Sequence, residues 1–199
     1  MIHVVITSAN VPAMYEKRKA LYIESIEACL QYRDLFDSYT VLECVSAHEA
    51  YLEPYTTYYS TIGNPYANKG LNEMRHLAQY LSANNSLHTG DAIIKLTGRY
   101  IVEEPYFFEQ VRALHEEYES IFKNDDDFYV GNGYHTFFYY MRKGLLLEAV
   151  QSLEFSDAND RPIEWDVKSF VMPRETNLEI DRLGLLAYQG ADSSIIFRC

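Results

Sequence analysis

Five short stretches of this chain carry residue types and spacings that could do chemistry. The most informative is Lys95-Leu96-Thr97-Gly98-Arg99-Tyr100. It places a glycine directly after an apolar run, where backbone can approach a neighbour closely. Arg99 beside it offers a fixed cation with a planar fork of donors, suited to a diphosphate or carboxylate; the bland alternative is a tight turn with a surface Arg. Asn68-Lys69-Gly70, followed by Glu73 and Arg75, opens a helical pattern. A helix start is a ready anion site, and Lys69 and Arg75 add charge. The alternative is ordinary capping by Asn68, with Glu73 and Arg75 in solvent-facing pairs. Glu164-Trp165-Asp166 sets the only Trp between two carboxylates, a sugar platform beside a general base or else an acidic helix start. Asp125-Asp126-Asp127 could hold Mg²⁺ or Mn²⁺, but it precedes a strand and reads better as a solvated turn. Gly131-Asn132-Gly133-Tyr134-His135 is either a flexible loop at a pocket rim or a turn between strands. No GxGxxG, Walker, GxSxG or zinc-ligand pattern appears, which argues against dehydrogenase, kinase, hydrolase and zinc readings.

The elements that must position these residues alternate. Ile2–Thr7 is a β-branched run that reads as a buried strand, Ala13 to about Tyr32 a helix, and Tyr39–Val45 a second strand. That order implies a parallel pair with a right-handed crossover. Residues 46–66 read as a short helix and irregular loop. Lys69–Ala83 reads as a helix, Ala92–Leu96 as a third buried strand, and Pro105–Phe122 as a helix. Asn124–Asp127 is a turn, Phe128–Gly131 and Thr136–Met141 strands, and Gly144–Ser152 and Ile163–Met172 helices. Leu183–Gln189 and Ser194–Phe197 are expected as edge strands. In such an open α/β sheet ligands sit outside the carboxyl ends of the strands, which picks out Thr7–Asn10, Glu43–Ser46 and Thr97–Tyr100.

The chain has 199 residues, 48% of them hydrophobic and 23% charged, enough for one domain with a real core. Tyr is abundant at 18 residues, which suits a wet groove that binds rings or sugars, or else half-buried packing. A net charge of −12 argues against general nucleic-acid binding. The scattered cysteines Cys29, Cys44 and Cys199 suit a reducing compartment. The amino-terminal residues lack a signal-peptide pattern, and no apolar run reaches the ~20 residues of a membrane span. The expected location is the cytosol, from which the protein would visit any membrane-bound substrate.

Taken in order, Thr7-Ser8-Ala9-Asn10, a helix carrying Arg18, Asn68-Lys69-Gly70 with Glu73 and Arg75, Lys95–Tyr100 and Gly131–Thr136 form a set that resembles the small glycosyltransferase-like proteins of bacteria and large viruses. Those have the GT-A nucleotide-diphospho-sugar transferase fold. The resemblance covers roughly residues 2–170 and rests on the segments NKG and KLTGRY. It implies one GT-A-like α/β domain over residues 1–199, a mixed, mostly parallel sheet flanked by helices. The donor-binding half would be about 1–104 and the acceptor and catalytic half about 105–199. A nucleotide-sugar donor would contact Thr7, Ser8, Ala9, Asn10, Arg18, Glu43, Asn68, Lys69, Gly70, Arg75, Lys95, Thr97, Gly98, Arg99 and Tyr100. Its base and ribose would lie over Thr7–Asn10 and near Glu43, and its diphosphate near Asn68, Lys69 and Arg75. Tyr134, His135 and Trp165 would face the acceptor, a glycan or other hydroxyl compound.

Many GT-A enzymes end the strand equivalent to Ala92–Leu96 in a DxD motif that binds Mn²⁺ or Mg²⁺. This chain has Thr97-Gly98-Arg99 there, so the expectation is no required metal or cofactor, with Arg99 or Lys95 neutralising the leaving diphosphate instead. The expected activity is hexosyl or related transfer, with Asp166 preferred over Glu164 as base. Rival readings are a GT-A-like nucleotide-binding protein without transferase activity and an oligomeric structural protein.

Overall fold

The computed structural model describes residues 1–125, 133–189 and 195–199. Strand β1 (Ile2–Ser8) is buried along its whole length. A 3₁₀ turn over Pro12–Met14 leads into helix α1 (Tyr15–Leu30), and strand β2 (Ser38–Glu43) follows. The remaining elements in chain order are β3 (Thr57–Tyr59), α2 (Lys69–Ala83), β4 (Ala92–Thr97), β5 (Ile101–Val102), α3 (Tyr106–Leu114), β6 (Ser120–Asp125), β7 (Gly133–Tyr134), β8 (Phe138–Arg142), α4 (Lys143–Ser152), α5 (Ile163–Val171), β9 (Asn177–Ile180), β10 (Leu185–Gln189) and β11 (Ile195–Arg198).

The main sheet runs β3-β2-β1-β4-β8-β6-β7, with β9 beside β6. Strands β3, β2, β1 and β4 are parallel, β8 is antiparallel to β4 and β6, and β9 is parallel to β6. The alternation of the strand residues sorts the core into two layers. Val5 and Ile93 face one way, onto Leu71, Leu77 and Leu81 of α2, Leu146 of α4 and Val167 of α5. Val4, Ile6, Ile94 and Leu96 face the other way, onto Ile26 of α1 and Phe107, Phe108 and Val111 of α3. The result is the mixed, mostly parallel α/β domain that the sequence implies. None of its described helices is long and apolar enough to cross a membrane.

Three expectations need correction. The helix expected over Pro105–Phe122 stops at Leu114, and Ser120–Asp125 is a strand. Ile121 and Phe122 are fully buried between β8 and β9, so sheet pairing overrides the helical pattern there. Asn124 and Asp125 belong to that strand rather than to a turn; Asp126, Asp127 and the strand expected at Phe128–Gly131 lie outside the described residues. The tail does not edge the main sheet. It forms a second sheet, β11-β10-β5, anchored on Ile101–Val102. Strands β3, β5, β7 and β9 have no counterpart in the expected element order; each is a short segment of two to four residues recruited by pairing with a neighbouring strand.

His3 marks where the amino end of β1 is fastened. Its ring bridges Ser38 Oγ (Nδ1, 2.6 Å) and Tyr80 Oη (Nε2, 2.8 Å), and Tyr80 in turn meets Thr40 Oγ1 at 2.8 Å. Burial lowers the His3 pKa from 6.5 to about 4, with Arg33 pushing the same way and Asp91 opposing. The folded state therefore disfavours the protonated ring. His3 contributes its full stability above pH 6.5 and loses it as pH falls towards 4, a span worth about 3 kcal/mol. Chemical denaturation at pH 7 and pH 4.5 should show a smaller acid loss in His3→Gln than in the wild type; equal losses would exclude His3 as the acid-sensitive group.

Candidate functional site

The chain runs outward from β1 to β2 and β3, then returns through α2 to β4 on the other side of β1. The point where strand order reverses lies between β1 and β4, and ligands in open α/β sheets bind at the carboxyl side of such a point. Thr7 and Thr97 are register partners there.

Beneath them, one face of β4 reads Ile93, Lys95, Thr97. Lys95 is only 1% exposed and needs three acceptors for its ammonium. It finds Glu73 Oε1 at 2.9 Å, Thr97 Oγ1 at 2.6 Å and the Thr136 carbonyl at 2.9 Å. Glu73, from the first turns of α2, also accepts from Thr7 Oγ1 at 2.5 Å and from Thr97 Oγ1 at 3.4 Å. Burial opposes ionisation of Glu73. The Lys95 charge and the three hydrogen bonds outweigh it and hold the carboxyl below the ordinary Glu range.

Thr136 extends the cluster. Its hydroxyl donates to Glu164 Oε1 at 3.1 Å. Burial pushes the Glu164 pKa up, against its own backbone amide, the Thr136 hydroxyl and the Lys95 charge, while the Glu73 charge adds to the rise. Residues from both halves of the chain thus meet at the end of β4. Asp166, the preferred base in the sequence reading, is instead ion-paired with Arg161 at 3.3 Å. Two positions along a helix is about 200° of rotation, so Glu164 and Asp166 cannot face the same way. It is Glu164 that turns to Thr136 and the Lys95 cluster. Packing sets that choice: Ile163 lies against Gly70, where a Cβ would come within 2.7 Å of it, and Glu164 lies against Gly133.

Other expected donor-side residues divide into two groups. Glu43 is fully buried and organises the loops after β1 and β2: it accepts from Ser8 Oγ (2.6 Å), Asn10 Nδ2 (2.9 Å) and the amides of Val45 and Ser46 (2.9 Å each). Ser8, Asn10 and Glu43 are therefore joined, and they shape the loop. The backbone of Ala9 exchanges hydrogen bonds with Tyr22 Oη and accepts from Arg18 Nη1 at 3.0 Å. The Nε of Arg18 is buried and makes no hydrogen bond among the described residues. The charges of Arg18 and Arg99 both bear on the Tyr22 hydroxyl, where they oppose the burial that raises its pKa.

Several expectations change. Gly98 admits the protein's own first strand: a Cβ there would meet the Thr7 carbonyl at 2.8 Å. The α2 amides of Gly70 and Leu71 are taken by Asn68 Oδ1, at 3.0 and 3.3 Å, so this helix start is capped. Asn68 Nδ2 reaches over to the Arg161 carbonyl, and Lys69 is exposed. Arg75 does not join Glu73. It lies on the other side of α2, bonded to the Gly63 carbonyl at 3.3 Å and set over the Tyr66 ring. Lys95 is occupied and cannot neutralise a diphosphate as well. Tyr134 is fully buried, stacked on Phe122, with its hydroxyl bonded to Glu179 and Asn177; it presents nothing to an acceptor. His135 is buried against Phe137, Tyr100 packs edge-on to the same ring, and Trp165 is exposed beside Gly133. Gly131 and Asn132 lie outside the described residues. Sequence reasoning carried Glu73 and Thr136 only as members of longer segments and assigned neither a role of its own. A lysine inside an apolar strand signals that an acceptor set must exist, but not where in the chain it lies.

Directly at and after the end of β4 the chain offers Thr97, Gly98 and Arg99, none of them a carboxylate.

Removing Lys95 alone leaves Glu73 charged over a buried strand. Lys95→Met should destabilise the fold by about 3 kcal/mol, the low end of the range for a broken buried pair because Glu73 is partly open to solvent. Lys95→Met with Glu73→Leu should cost less than that single change. Additive losses in denaturant titrations would show that the two groups are not coupled.

No protein-family profile matches this sequence, and no curated protein does. Solved structures do match over nearly the whole chain. A protein of Bacillus anthracis described as a glucose-1-phosphate thymidylyltransferase, solved with sucrose, gives a TM-score of 0.63 at 11% identity, over 94% of this chain and 89% of that one. A 4-diphosphocytidyl-2C-methyl-D-erythritol synthase from Anaerococcus prevotii gives 0.58 at 14% identity, over 99% and 90%. A glycosyltransferase involved in glycosylation of the major capsid of PBCV-1 gives 0.54 at 11% identity, over 90% and 81%. At these identities the likeness is one of fold, and the fold of this chain is the GT-A-like fold of nucleotide-diphospho-sugar transferases.

Proposed function

We propose that this chain is a glycosyltransferase that moves a sugar from a nucleotide-sugar donor to a hydroxyl of a glycan or other acceptor. One observation carries the reading: the second half of the chain delivers a protonatable carboxylate, Glu164, to the carboxyl side of the sheet's reversal point, next to the donor half. A carboxylate raised above its ordinary pKa is a stronger base, and it can take the acceptor's proton as the hydroxyl attacks the anomeric carbon. Arg99 and Arg18, on the loop side of the same ends, supply positive charge for the departing diphosphate. With no carboxylate among Thr97, Gly98 and Arg99, this reading assigns that role to arginine rather than to Mn²⁺ or Mg²⁺.

Nucleotidyl transfer is a second reading, favoured by the names of two structural neighbours. It predicts pyrophosphate release from a nucleoside triphosphate and a sugar phosphate. A nucleotide-binding protein without transferase activity predicts binding and no turnover.

Two experiments bear on the proposal. Calorimetry with nucleotide sugars should show Arg99→Ala binding well over tenfold more weakly, because loss of one partner of a desolvated charge pair costs about 2–5 kcal/mol. Affinity should be the same in EDTA and in Mn²⁺, and a large gain with Mn²⁺ would reveal a metal site. In transfer assays, Glu164→Gln should lower turnover by about 10²–10⁴ with donor binding intact, while Asp166→Asn changes it little. Wild-type turnover should fall as pH drops through the raised Glu164 pKa. Full turnover by Glu164→Gln would exclude it as the base.

A further inference from the structure

The Glu73 carboxylate is built asymmetrically. All three of its side-chain partners, Thr7 Oγ1, Lys95 Nζ and Thr97 Oγ1, converge on Oε1. Oε2 makes no hydrogen bond among the described residues. The pair is also asymmetric in exposure: Lys95 is 1% exposed and Glu73 is 28% exposed. The lysine is sealed under the strand ends, and the carboxylate is partly open to solvent, with one oxygen hydrogen-bonded and the other not among the described residues.

Ligand chemistry at such an oxygen is constrained. An ionised carboxylate oxygen only accepts hydrogen bonds, so it takes a hydroxyl or an ammonium and repels phosphate. Arg18 holds the loop after β1 through the Ala9 carbonyl, and Arg99 follows Gly98 directly after β4. Glu164 lies on the α5 side, reached from Lys95 through Thr136. Glu73 is thus joined to the end of β1 through Thr7 and, through Lys95 and Thr136, to the candidate base Glu164.

Resting on the donor reading above, we propose that Glu73 is a specificity-determining residue whose Oε2 accepts a hydrogen bond from a ring hydroxyl of the transferred sugar. Lys95 is its positioning residue. By taking Oε1 together with the two threonines, it fixes the carboxylate in one rotamer and keeps it ionised. The chain then recognises the sugar and the nucleotide with separate groups: Glu73 reads a hydroxyl, and the arginines hold the diphosphate.

The test compares three pairs by calorimetry: UDP with UDP-glucose, GDP with GDP-mannose, and ADP with ADP-glucose. For the pair that binds best, Glu73→Gln should weaken the nucleotide sugar roughly ten- to hundredfold, the worth of a hydrogen bond to a charged group. The matching nucleoside diphosphate should bind unchanged or more tightly. Should Glu73→Gln not fold, Glu73→Gln with Lys95→Met removes both charges together and is read in the same way. Equal loss for sugar and diphosphate, or no loss for either, overturns the assignment of Glu73 and leaves the donor reading standing. Failure of the wild type to bind any of the six compounds overturns the donor reading and this inference with it.

Discussion

A lysine buried in β4 of the mixed sheet leaves three ammonium protons to satisfy inside the protein. Everything at the carboxyl ends of this sheet is arranged around that demand. One proton goes to the strand's own Thr97, one to Glu73 on α2, and one to the backbone of Thr136 in the connection to β8. An unpaired buried charge is so costly that these three elements are held in one geometry. Thr7 at the end of β1 joins through Glu73, so the reversal point of the sheet is closed by side chains as well as by strand pairing.

A second knot sits on the far side of β1. Glu43, buried at the end of β2, takes up the donors of the loops after β1 and β2. Asn10 exchanges hydrogen bonds with Tyr51 as well, which ties in the 3₁₀ turn over Ala50–Leu52. The two carboxylates serve different ends. Glu43 spends both oxygens on the protein, whereas Glu73 spends one. Loops at the mouth of the sheet are thereby rigid without help from a ligand, which lowers the ordering cost of binding one.

The helix that brings Glu164 is placed by absent side chains. Gly70 at the start of α2 and Gly133 in β7 leave room for Ile163 and Glu164 to lie close, and Asn68 bridges to Arg161 just ahead of α5. Glu73 and Glu164 share Lys95 as a neighbour yet are pushed in opposite directions, one towards ionisation and one away from it. Carboxylates whose environments separate their protonation are a way to divide binding from proton transfer within one cleft.

The local pattern of the chain already determined much of this. Continuous apolar runs at Ile2–Thr7 and Ala92–Leu96 specify buried strands, and Asn68 followed by an apolar stripe specifies α2 over Lys69–Ala83 as observed. These signals are complete within a window of a dozen residues each, and the alternation of elements follows from them in sequence. Tertiary structure decided the rest, because the deciding contacts join distant positions. Ser120–Asp125 became a strand because β8 and β9 flank it, against its helical pattern. Tyr134 went into the core because Phe122 and Glu179 receive it there. Glu164 was chosen over Asp166 by the rotation of α5 on two glycines, and Glu73 over Arg75 by which side of α2 meets the strand ends. A buried charge announces in the sequence that partners must exist, but their identity is a property of the assembled chain, since the partners of Lys95 come from residues 73, 97 and 136.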